Sequence, residues 1–94
     1  MTDRYVELLS KSGKCSDDFY RALKHYTTQK RTSRQSVNAG KRCGSLARIY
    51  DDSLDELLAC LRADEDSEGA QQKIDKTLER KRLLVKDIEL IPSA

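Results

Sequence analysis

A chain of 94 residues has room for one small domain, and 37% hydrophobic, 36% charged and 5% aromatic residues give it a modest core. With one Pro, no Trp and abundant Leu, Ala, Lys, Arg, Glu and Gln, almost nothing interrupts helix formation, so the expected class is all-α. The formal net charge of +2 is too small to mark a nucleic-acid binder by itself.

In the first segment Tyr5, Leu9, Ser12, Ser16, Phe19, Leu23 and Tyr26 are spaced alternately by four and three, which is a heptad seam. It stays in phase across Gly13, so the preferred reading is one helix over about 3–30, although glycine costs a helix interior about 1 kcal/mol against Ala. The alternative ends a short helix at Gly13 and caps a new one at Ser16. A turn follows near Arg31–Arg34, where Thr32 and Ser33 offer an N-cap. The apolar pattern restarts at Ala39 and runs through Cys43, Leu46, Tyr50, Leu54, Leu57 and Leu61, predicting a second helix over about 33–63. An acidic turn, "DEDSEG", leads into a third over about 68–90, with Ser67 as candidate N-cap and Ile74, Leu78, Lys81, Val85 and Ile88 as its seam.

Three amphipathic helices joined by short turns pack sequentially, so the expectation is an elongated antiparallel three-helix bundle with coiled-coil-like seams. Residues 1–94 form a single helical domain, and 91–94 a short tail. The apolar run in "MTDRYVELL" is too short for a signal peptide, and no stretch approaches the roughly 18–20 apolar residues of a bilayer crossing. Cys15, Cys43 and Cys60 make an odd count with no paired spacing, which supports neither a disulfide framework nor a zinc site. A reducing compartment, cytoplasmic or nuclear, is expected.

Charge is segregated along the chain. From Phe19 through Tyr50 there are eight basic residues, Arg21, Lys24, Lys30, Arg31, Arg34, Lys41, Arg42 and Arg48, and no acid. From Asp51 through Glu68 there are eight acids and only Arg62 opposing them. The basic segment includes "QKRTSRQSVNAGKRCGS", whose Gly, Lys and Ser content suggests a phosphate loop. Its glycines are four apart with no preceding strand, whereas a P-loop needs G-x-x-x-x-G-K-[ST] between strand and helix. On a helix, Arg34, Lys41 and Arg48 recur at sevens as one stripe, and Gly40, Gly44 and Ala47 give a neighbouring face of small side chains suited to close helix packing. Two readings of the stripe compete. It is either a solvated face balanced by the acids of the second half, or a contact for an anionic surface, namely membrane phospholipid or a nucleic-acid backbone.

No motif specifies a reaction. His25, the sole histidine, has no sequence-local catalytic partners, and Asp51, Asp52, Asp55 and Glu56 read as surface charge. Catalytic, cofactor and metal residues are expected to be none, with no small-molecule substrate. "KRTS" makes Ser33 a candidate phosphosite at a helix start. The leading expectation is a non-enzymatic interaction module, a subunit or adaptor whose partners are other helical proteins and itself. An anionic-surface binder using residues 21–48 is the alternative.

Overall fold

The computed structural model of the protein describes residues 3–28, 33–64 and 66–91, the side chains at 33, 35 and 36 excepted. Its three helices are α1, Asp3–Thr28, α2, Ser33–Ala63, and α3, Ala70–Ile88. α1 packs antiparallel to α2, so that Lys11 meets Glu56, Phe19 meets Tyr50 and Tyr26 meets Gly40. α3 returns along α2 with Lys81 at Asp51 and Ile91 at Gly40. The up-down-up bundle measures 51 × 21 × 17 Å. Its radius of gyration of 15.3 Å exceeds the roughly 12 Å of a compact chain this long.

α2 is the spine. It contacts both neighbours, whereas no described Cα of α1 comes within 8 Å of one in α3. Side chains bridge that gap: Tyr20 Oη donates to Asp87 Oδ2 at 2.6 Å, and Lys73 Nζ lies 5.3 Å from the Tyr5 ring centroid. Two apolar clusters lie along the spine. One joins Phe19, Leu23, Ala47, Tyr50, Leu54 and Leu84, and the other Leu8, Leu57, Leu58, Leu61 and Ile74.

The single α1 is the continuous helix that the seam predicts. Its seam serine Ser12 is fully buried yet compatible with a helix, because its hydroxyl donates to the Leu9 carbonyl at 2.9 Å. Ser53 and Thr77, also buried, donate to the carbonyls of Tyr50 and Lys73, and no described buried side-chain polar atom lacks a partner.

The seams shift in two places. Leu8, not Leu9, fills the α1 position, packed with Leu57, Leu58, Leu61 and Ile74. On α3 the buried stripe is Ala70, Ile74, Thr77 and Leu84, while Leu78, Val85 and Ile88 are exposed. Hydrophobicity favours Leu78 over Thr77, but back-bonding to Lys73 removes the cost of burying the threonine hydroxyl. Leu84, in turn, completes the cluster around Phe19 and Tyr50.

The third helix also starts later than 68, and Ser67 does not cap it. Its N-cap is Gly69, at φ 80° with no side-chain cap bond, after turns in which Ser67 N donates to Asp64 O and Ala70 N to Ser67 O. A left-handed residue here reverses the chain, which glycine does without a Cβ penalty.

Candidate functional site

α1 presents Asp18, Arg21 and His25 at helical spacing, and α2 presents Ala39, Arg42 and Leu46 in the same rhythm. Antiparallel packing brings these stripes together around a hollow of about 520 Å³, also lined by Ala22. The small Ala22 and Ala39 leave space that larger side chains would fill. Arg21, His25 and Arg42 are exposed, while Asp18 and Ala22 are half-buried. One arginine on each helix lines the same hollow.

Of the remaining basic candidates, Lys24, Arg34, Lys41 and Arg48 are exposed, with Arg34, Lys41 and Arg48 on one face of α2 as their spacing requires. Lys30 and Arg31 lie outside the described residues, as does the side chain of Ser33. Gly40 is buried, and a Cβ there would stand 3.7 Å from Tyr26 Cε2 and Ile91 Cγ2. Ala47 is buried in the Phe19 cluster, whereas Gly44 is exposed with nothing within 4 Å of a Cβ.

The acids are placed differently. Lys81 Nζ sits 3.3 Å from Asp51 Oδ1 and also bonds Asp55 Oδ1, while Lys11 Nζ is 3.2 Å from Glu56 Oε2. The hydrogen bond to Asp55, with further support from Asp51, raises the Lys81 pKa above that of an ordinary lysine. Asp51, Asp52 and Asp55 offer oxygens within 4.8 Å of one another, a cluster that Lys81 already bridges. A further ion pair among the described residues, Arg82 with Glu79, lies within α3. Among the described residues, no ion pair engages Arg21, Lys24, Arg34, Lys41, Arg42 or Arg48. Three acids of α2 thus take their cations from Lys11 and Lys81, which weakens the reading in which they balance the basic stripe.

A second surface feature belongs to α3. Leu78 and Leu83 are 42% exposed, Val85 58%, Ile88 37% and Leu90, just past the helix, 59%. Leu83 helps line a cleft of about 300 Å³ between α1 and α3, with Gly13, Ser16 and Tyr20 on one wall, Arg80 on the other and Tyr50 behind. Tyr20 closes one side of it. Burial first, and then its hydrogen bond to the Asp87 carboxylate, push the Tyr20 phenol pKa well above its ordinary value.

The hollow's pairing of Arg21 with Arg42 was not legible along the chain, because it depends on the register between two helices. The stripes 18/21/25 and 39/42/46 are the signal that a helical reading contains. No described helix is long and apolar enough to cross a membrane. Comparison with protein-family models, with curated proteins and with solved structures finds no match to this chain.

Proposed function

We propose that the protein is a non-enzymatic interaction module, a three-helix subunit or adaptor that associates with another helical protein or with a second copy of itself. The observation that carries this reading is α3. Leu78 and Val85 are exposed along one edge of the buried stripe of this nineteen-residue helix, Ile88 is exposed in line with that stripe near the helix end, and Leu83 is exposed on the far side. An exposed apolar edge of this kind on a small domain is the usual mark of an association face. The partner is a helix that lays apolar residues along the Leu78 and Val85 edge of α3. Three free cysteines, one buried and two half-buried, suit a reducing compartment, so the module is assigned to the cytoplasm or nucleus.

Sedimentation at micromolar concentration tests the self-associating form, with a dimer or larger species expected. Leu78→Asp with Val85→Asp should return it to a monomer of unchanged helical content, since neither side chain is buried. A wild-type monomer that also ignores amphipathic helical peptides would overturn the reading.

A specific observation supports a second function, binding to an anionic surface, because six described cations between Arg21 and Arg48 engage in no ion pair. Charges near an anionic bilayer contribute about 1 kcal/mol each. Binding to anionic vesicles should fall steeply with salt, and the triple change Arg34→Glu, Lys41→Glu, Arg48→Glu should abolish it.

A further inference from the structure

We infer that the hollow between α1 and α2 is a binding site for a phosphorylated headgroup, a compact polyol bearing phosphate monoesters, held between Arg21 and Arg42. The inference rests on the anionic-surface reading, not on the helix-partner one, and narrows it from a patch to a site.

The two arginines come from different helices and line the same hollow with His25, so an anion seated there is met from both walls. A guanidinium presents a planar fork of donors that matches phosphate oxygens in pairs, which a lysine ammonium does not. Neither arginine is committed elsewhere. Asp18, the carboxylate among the lining residues, forms no ion pair with either one. Exposed Lys24 and Lys41 neighbour these arginines in sequence, and the chain has no acid from Phe19 to Tyr50, so the bases at this end of the bundle outnumber Asp18 and the Asp87 and Glu89 of the α3 end. Ala22, Ala39 and Leu46 give the hollow apolar walls, next to which charge attraction is screened less than in open water.

Size and shape favour a compact ligand over a polymer. The volume of about 520 Å³ falls within the roughly 300–1,000 Å³ typical of small-molecule sites. A nucleic-acid strand would need stacking platforms beside the cations. The aromatics nearest in sequence do not offer them: Phe19 and Tyr50 are buried in the core, Tyr20 is half-buried edge-on to both with its hydroxyl on Asp87, and Tyr26 is half-buried against Gly40.

The test is titration of the whole chain with soluble inositol trisphosphate, and separately with phosphatidylcholine vesicles carrying a phosphoinositide. Soluble headgroup should bind, and Arg21→Glu and Arg42→Glu should each weaken it about tenfold or more, the loss of a charge-assisted fork. Arg48→Glu, the same charge change outside the hollow, should weaken it less than about threefold through the screened field alone. The milder Arg21→Gln and Arg42→Gln, with helical content checked by circular dichroism, guard against misfolding and should show the same ranking. Vesicle binding with that ranking identifies a lipid headgroup as the source, and soluble binding without vesicle binding identifies a free phosphorylated polyol. Equal losses in all the Glu variants would overturn the site and leave a diffuse basic surface. If neither probe binds in a salt-dependent way, the site and the anionic-surface reading fail together.

Discussion

From Tyr50 to Ala63, α2 buries Tyr50, Leu54, Leu57, Leu58 and Leu61, and its Asp51, Asp55 and Glu56 are bound by lysines of the flanking helices. From Ser33 to Ile49 the described residues that the same helix buries are the small Gly40, Cys43 and Ala47, and its four described cations have no ion-pair partner. Burying a leucine stabilises by roughly 1.5–3 kcal/mol, so the four leucines of the second half outweigh anything the first half contributes. Continuous helix therefore conceals a division of labour. One half is committed to the fold, and the other is held in place by it with its described cations outside any ion pair.

The largest test of that division is in the core. Leu54→Ala should lower unfolding free energy by about 2–5 kcal/mol, since Leu54 is fully buried between Phe19, Tyr50 and Leu84. Cys43→Ala, equally buried in the first half, should cost only about 1 kcal/mol, because little volume is lost. Denaturant unfolding of both variants checks the pair, and similar costs would mean that the halves do not differ.

Tyr20→Phe comes next. Tyr20 packs edge-on to Tyr50 at the boundary between the halves and fastens α1 to α3 through Asp87. Losing its hydroxyl strands a half-buried carboxylate, at a cost of about 1–2 kcal/mol. The raised phenol pKa fixes the sign of the pH effect. A group whose folded pKa lies above its unfolded value contributes stability that is complete below the unfolded value, about pH 10 for tyrosine, and is lost as pH rises toward the folded one. Wild-type stability should therefore fall above about pH 10, and the fall should be shallower in Tyr20→Phe.

Lys81→Met isolates the electrostatic part of the committed half. Removing the ammonium leaves Asp51, Asp52 and Asp55 facing one another, and the expected cost is about 1 kcal/mol at low salt, shrinking as salt screens the repulsion. The folded pKa of Lys81 is also raised, so its contribution is likewise complete below about pH 10 and lost on further alkalinisation. Thermal melts across salt and pH separate it from Tyr20, whose contribution comes mainly from burial and is therefore less sensitive to salt.

Much of this division is visible in the sequence. Heptad spacing placed three helices and carried α1 through Gly13, and charge counting separated a basic from an acidic segment. What the spacing did not supply was phase within half a turn. On α3, Thr77 and Leu78 are both compatible with a three-four repeat, and the choice between them depends on a hydroxyl that bonds its own helix. Nor does charge order reveal which acids meet which bases. Lys11 and Lys81, distant in sequence, reach Glu56 and Asp51 only through the antiparallel registers, and that pairing is what leaves Arg21 and Arg42 uncommitted.

The smallest expected effect probes the uncommitted half directly. Gly44 is exposed in the interior of α2, and a Cβ there would meet nothing within 4 Å. Gly44→Ala should therefore stabilise the protein by about 0.5–1 kcal/mol, because alanine narrows the unfolded ensemble without touching a neighbour. Gly69, at φ 80°, is the internal control, and Gly69→Ala should destabilise by a similar amount, since a Cβ is disfavoured in that region. Thermal melting of the two variants should move in opposite directions. A loss of stability there would mean that this face is pressed against another molecule in solution. A second copy would then be seated on the basic half, and α2 would be committed along its whole length.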